Sequence, residues 1–195
     1  MSDSPESGTR SRTRRAILSA AASVLARDRT ATLADIAEAS EVGRSTLHRY
    51  FPDRHELVNA TIIDSFKVVE NATRDAAIDQ GPPLAAMRRL IAAMVDVGDR
   101  LAFLFGDPGV LEEFSGCFEP DMSVPTTVGL IERGQADGVF DPQLSAEWIQ
   151  QVLWALTYTG WEAAEKGLLS RHGVTPAVTR TFENGVVTVV TTESR

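Results

Sequence analysis

The sequence predicts an all-α protein: a small three-helix head followed by a larger helical body, about nine helices in all. Three observations predict it. Apolar residues recur at three- and four-residue spacing through most of the 195 positions, the period of a helix with one buried face. Cap residues and Pro/Gly breaks interrupt that periodicity at helix-length intervals. The one valine- and threonine-rich stretch that would suit a strand, 174–191, has no second strand to pair with and is therefore read as helix.

Residues 1–9 are small, polar and acidic, and disorder is expected there. Arg10, Arg12, Arg14 and Arg15 lead into a helix over 13–29, whose Ile17, Leu18, Ala21, Ala22 and Leu25 recur at helical spacing. The stretch TLADIAEASEVGRSTLHRYFPDRHE, 32–56, then organises the head. Thr32 and Asp35 form a capping box, after which Leu33, Ile36 and Ala37 share one face. Ser40 to Gly43 make a turn plugged by Val42. A second short helix, 44–50, turns Leu47 inward and leaves Arg44, Ser45, Thr46, His48 and Arg49 largely outward. Phe51-Pro52 ends it, because the residue before proline is pushed out of helical conformation. Asp53 and Glu56 are expected to open the next helix with a second capping box. Two short helices, one apolar seam and a basic, hydroxylic outer face make a helix-turn-helix.

The body begins with a helix over 54–78 carrying Leu57, Val58, Ile62, Phe66 and Val69. Gly81-Pro82-Pro83 breaks it. Further helices are expected over 84–105, 110–118, 125–136, 145–167 and 175–191. The one over 145–167 is apolar almost all round, as a helix buried on more than one side must be.

Composition narrows the function. No run of about 18 apolar residues exists to span a membrane, and the N-terminus lacks the apolar core of a signal peptide. One cysteine, Cys117, leaves no internal disulfide and suits a reducing cytoplasm. The net charge is −8, yet nine arginines against seven acids through Arg54 leave +2 there, and so −10 for the rest. A mildly basic head on an acidic body suits a DNA-reading module joined to a part that does not touch DNA. No HExxH, CxxC, phosphate-binding glycine loop or Gly-x-Ser-x-Gly occurs, so no enzyme class, cofactor or metal is indicated.

Arg44 is the best base reader, since a guanidinium bonds guanine O6 and N7 together. Arg49 or Thr46 would touch a further base edge or a thymine methyl. Arg12 belongs to an arginine-rich segment suited to phosphates or the minor groove. In the body, Met87, Met94, Phe103, Phe114, Phe118, Met122, Trp154, Tyr158 and Trp161 are large, adaptable side chains that would line a mainly apolar small-molecule pocket.

VGRSTLHRYFPDRHELV resembles the recognition-helix signature of the TetR family of bacterial transcriptional regulators. The resemblance covers about the first 60 residues. Three departures stand out: Glu41 at the usual turn glycine, Gly43 at the usual serine cap, and His48 for the usual tyrosine. The resemblance implies backbone-phosphate contacts by Thr32, Thr46, His48, Tyr50 and Arg54, which set register without reading sequence. It also implies a homodimer joined through a four-helix bundle of the last two helices, with Trp148, Val152, Ala155, Phe182 and Val186 as interface residues. The expected organisation is a tail over 1–9, a DNA-binding domain over 10–55, and an effector-binding and dimerisation domain over 56–195. The expected function is a cytoplasmic repressor of a palindromic double-stranded operator, released by a small, mainly apolar effector. The alternatives are a helical small-molecule-binding or catalytic protein without DNA binding, and a DNA-binding regulator with no effector.

Overall fold

The structure, a computed structural model, describes residues 5–106 and 124–187. Among the described residues the chain forms nine helices and no strand. They are α1 (Pro5–Arg27), α2 (Leu33–Ala39), α3 (Arg44–Tyr50), α4 (Arg54–Asp75), α5 (Pro83–Asp96), α6 (Gly98–Phe105), α7 (Thr127–Ala136), α8 (Ala146–Glu165) and α9 (Arg171–Val186). Two compact units result: Met1–Val68 with Asp99–Glu119, and Val69–Gly98 with Pro120–Arg195. The first therefore takes in more chain than the 10–55 suggested by the sequence, including most of α6 and the first two-thirds of α4.

In the first unit, Ile17, Leu18, Ala21, Ala22 and Leu25 of α1 are buried together with Ile36, Ala37, Leu47, Phe51, Leu57 and Ile62. Helix α1 begins at Pro5, upstream of the expected start. Proline is at home in a first turn, where its fixed φ is pre-set and its missing N–H has no intrahelical acceptor. Arg10 to Arg15 consequently ride on a helix instead of a loose arm.

The turn between α2 and α3 is a Schellman motif. Val42 N–H bonds Ala37 O and Glu41 N–H bonds Glu38 O, both at 3.0 Å. This geometry places Glu41 at φ 56. The ends of α7 and α8 solve the same problem with Gly138 and Gly167, at φ 68 and 70. A side chain in the left-handed region costs about 1–2 kcal/mol. Glu41→Gly should therefore stabilise the protein by about 1 kcal/mol, net of glycine's larger unfolded-state entropy. A denaturant titration read by circular dichroism checks it; a midpoint unchanged or lowered would show that the turn carries no strain.

Helix α6 is tied into the first unit by arginines that periodicity does not reveal. Arg100, its side chain only 8% exposed, pairs with Asp64 Oδ2 at 3.0 Å. Its Nη1 also donates to Leu18 O at 3.3 Å and Ser65 Oγ at 3.2 Å. A buried guanidinium has to be paired and hydrogen-bonded in this way to be tolerable. Arg29 donates to Ala102 O and Phe103 O, the latter at 2.7 Å, and lies 5.4 Å above the Phe103 ring.

The second unit packs α9 on α8 and α5, and α7 on α5 and α8. Its core contains Met87, Leu90, Ile91 and Met94 of α5, Leu130 and Ile131 of α7, and Ile149 and Leu153 of α8, with Phe140. Val174, Val178, Phe182 and Val186 contribute the buried face of α9. A Cβ on Gly160 would stand 2.8 Å from Val174 and 2.9 Å from Val178, so glycine is what lets α8 and α9 approach. The carbonyls left open after α4 are taken by two arginines. Arg89 donates to Ala76, Ala77 and Gln80, and Arg133 to Ile78 and Asp79, at 2.6–2.8 Å.

Three helix boundaries differ from expectation. The helix expected over 84–105 is interrupted at Val97, next to Gly98, whose absent Cβ would stand 3.1 Å from Trp161 Cδ1. Helix α4 stops at Asp75, short of Ile78, because Ala77 adopts φ 47. Helix α9 starts at Arg171, capped by Ser170, so Pro176 lies inside it and does not open it. The expected helix over 110–118 lies outside the described residues.

Candidate nucleic-acid interface

Helix α3 has seven residues and one buried side chain, Leu47, at 0% exposure. With about 100° between successive residues, anchoring Leu47 turns Arg44, Ser45, His48 and Arg49 to solvent. Thr46 and Tyr50 are half-buried flanks. Gly43 caps α3 in extended conformation with no side-chain bond, so backbone N–H groups at its start are left free of a cap. Free donors and partial positive charge at a helix start suit an anionic partner.

Thr32 and Asp35 form the expected capping box. The Thr32 hydroxyl accepts from Asp35 N–H at 3.3 Å, and Asp35 Oδ2 accepts from Thr32 N–H at 2.7 Å. Two bonds donated to Asp35 Oδ2, from Thr32 N–H foremost and from the Thr32 hydroxyl at 2.7 Å, hold the carboxyl below its ordinary pKa. At α4, Asp53 Oδ1 accepts from Glu56 N–H at 2.9 Å, one of the two bonds of the capping box the sequence predicts there.

Arg54 has a structural role that the sequence reading did not give it. Its guanidinium donates to the carbonyls of Ala31 and Arg29, clipping the start of α4 to the connection between α1 and α2. That placement makes it a structural clasp of the head, using two of the guanidinium's five N–H donors. Arg12 is exposed on α1, its Nη2 3.3 Å from Thr9 Oγ1. Two neighbours in the same arginine-rich segment have partners the sequence did not reveal. Arg10 and Arg14, one turn apart, lie 5.9 Å from the Tyr50 ring and 5.5 Å from the Phe51 ring. Arg49 also lies 5.9 Å from the Tyr50 ring. The aromatic pair that ends α3 thus gathers three guanidinium groups, by the attraction of cations to ring faces. The FxP-type ending was legible; that its rings would hold α1 arginines was not, because it depends on how α1 crosses α3.

In the second unit the expected pocket residues divide. Met87 and Met94 are fully buried, Trp154 and Trp161 are half-buried, and Tyr158 lies 6.2 Å from Trp161, ring to ring. Phe103 belongs to the other unit, beneath Arg29, and so is not grouped with Met87 and Met94. Phe114, Phe118 and Met122 lie outside the described residues. Of the expected interface residues, Trp148 is 58% exposed, Ala155 is exposed and Val152 half-buried. Phe182 and Val186 are instead enclosed in the protomer's own core, Phe182 edge-to-face with Phe140 at 6.2 Å. Repetition at four placed them on one face of α9, but periodicity does not say whether that face meets its own chain or another. Among the described residues no three His, Cys, Asp or Glu side chains converge as a metal site, and no helix is long and apolar enough to cross a membrane.

Residues 17–61 match the family of bacterial regulatory proteins, tetR family. The chain is 37% identical over 188 residues to the HTH-type transcriptional repressor LfrR of Mycolicibacterium smegmatis, covering 96% of this chain and 97% of that protein. The chain belongs to the TetR family. It is a TetR-type DNA-binding transcriptional regulator, and α3 lies within the matched segment. The crystal structure of LfrR from Mycobacterium smegmatis in complex with proflavine superposes with a TM-score of 0.71 at 36% identity, covering 93% of this chain and 99% of that one. The LfrR structure described without proflavine gives 0.72 at 35% identity. The HTH-type transcriptional regulator NfxB of Pseudomonas aeruginosa is 25% identical over 157 residues, 80% of this chain and 84% of NfxB. The TetR fold, with its helix-turn-helix head and helical remainder, is thus common to the chain and these relatives.

Proposed function

We propose that this TetR regulator is a cytoplasmic, homodimeric repressor that sets two copies of α3 into successive major grooves of a palindromic operator. Arg44 reads a base edge, with Arg49 and Thr46 flanking, while Ser45, His48, Tyr50, Thr32 and Arg12 position the head on the backbone. The carrying observation is that anchoring Leu47 leaves Arg44, Ser45, His48 and Arg49 on one exposed face. A single short helix reads too few base pairs for specificity, so duplication is required. Exposed Trp148 and Ala155, with Val152 between them at helical spacing, support α8 as the contact between copies.

The repressor LfrR, described with proflavine, supports release by a flat aromatic cation held in the second unit. Met87 and Met94 supply adaptable, polarizable walls of the kind that accommodate such rings. The effector must bind the DNA-free arrangement more tightly than the DNA-bound one, since equal affinity would shift nothing. No step of this cycle is catalytic.

Selection of bound duplexes from a random pool tests the reading. An inverted repeat should emerge with half-site centres one helical turn, or a multiple, apart. Affinity for it should fall steeply with salt, through release of phosphate counterions, and proflavine should displace it. Recovery of no sequence preference, or of a single unrepeated site, would overturn the dimeric operator reading.

A further inference from the structure

His48 Nδ1 lies 3.3 Å from the carbonyl oxygen of Pro52. A carbonyl only accepts, so Nδ1 is the protonated nitrogen of the neutral ring, and the outward Nε2 then carries a lone pair and no hydrogen. The duplex backbone likewise offers oxygen acceptors and no donors at its phosphates. A neutral His48 facing a phosphate therefore sets lone pair against lone pair. A second proton on the ring turns that repulsion into a charge-assisted hydrogen bond. Recognition helices place their N-terminal residues on base edges. His48, fifth of the seven residues of α3, lies past that zone and faces the backbone.

We propose that operator binding takes up a proton at His48 of each head, so that the chain grips DNA more tightly as pH falls. This rests on the backbone role given to His48 in the proposed function. The charged groups on the elements packed with α3 are Arg44 and Arg49 on α3 itself, Asp35 and Glu38 on α2, Glu41 in the turn, and Arg10 and Arg14 of α1, which lie against the Tyr50 and Phe51 rings. Asp53, Arg54, His55 and Glu56 lie where α4 opens. None ion-pairs with His48 among the described residues. The phosphates then raise the ring's proton affinity. The gain in binding is full below the free ring's titration and disappears as pH rises through the bound one's. Imidazoles titrate between about pH 5 and 8, so the window is neutral pH.

The test uses the full chain and a duplex carrying the selected inverted repeat, at fixed ionic strength. Wild-type affinity should be higher at pH 6 than at pH 8 by up to about 100-fold, a factor approaching ten at each of the two heads for a bound-state shift of about one pKa unit. Calorimetry in buffers of different ionisation enthalpy should register proton uptake at pH 7. His48→Tyr, which supplies a hydroxyl donor without titrating near neutrality, should remove the pH dependence while still binding; His55→Gln should retain it. A wild type indifferent to pH, or a His48→Tyr protein with the same dependence, overturns the proposal. His48→Ala separates two ways of failing. Unchanged affinity at both pH values removes the backbone contact itself. Equal weakening at both keeps the contact and removes the proton, as when Nε2 accepts from a base amino group.

Discussion

Arg44→Ala is expected to weaken operator binding by about 30-fold or more, since about 1–3 kcal/mol for one bidentate base contact is lost at each of the two half-sites. The loss should be accompanied by relaxed preference at one base pair in each half-site. Arg44 is the first residue of α3, exposed, and its removal uncovers no buried group. The melting curve should therefore change by no more than about 0.5 kcal/mol, as for other surface substitutions. Arg54→Ala should reverse this pattern, because its guanidinium joins the carbonyls of Arg29 and Ala31 across the head. There the melt falls, and binding weakens alike on every sequence. Competition binding against half-site variants, beside thermal melts of both proteins, separates the two. An Arg44→Ala protein with unaltered sequence preference would remove the base-reading assignment.

Gly134→Val is expected to be among the most damaging single substitutions in the second unit. A Cβ at Gly134 would stand 2.2 Å from Phe140 Cδ2 and 2.4 Å from Cε2. Phe140 cannot step aside. It is fully buried, edge-to-face with Phe182, and its N–H is bonded to Gly134 O at 3.1 Å. Overpacking a filled core costs about 1–3 kcal/mol and occasionally more, and contact with a fixed aromatic ring belongs at the upper end. Gly134→Val with Phe140→Leu should recover part of the loss, since the smaller side chain vacates the overlap. Equal stability of the single variant and wild type in urea would show that the ring moves freely.

How much of this could be read in advance depended on how far each signal reached along the chain. Thr32 and Asp35 are three residues apart, and their capping box was legible because both partners lie in one turn. Leu47 as the anchor of α3 followed from the helical period, and the left-handed conformation of Glu41 stands where the resemblance puts a turn glycine. Arginines with distant partners were not legible. Arg100 meets Leu18, 82 positions away, and Arg29 meets Phe103, 74 away. A solvated arginine and a buried one look the same in sequence. For the same reason Arg54's bonds to Arg29 and Ala31 were hidden, and Phe182 passed for an intersubunit residue: only the packed chain decides whom each faces. The break at Val97 hid because nothing in VDVGD announces that Trp161 would stand over Gly98.

Helix α3, at seven residues, is shorter than the roughly 12–15 that an isolated helix needs to persist in water. Its shape is on loan from Leu47, the Glu41 turn and the clasp at Arg54. No stored fragment of the recognition surface can outlive the head that presents it. Warming the regulator should silence reading of the operator in the same cooperative event that unfolds α1 and α4, so the thermometer of its gene control is the core beneath the arginines.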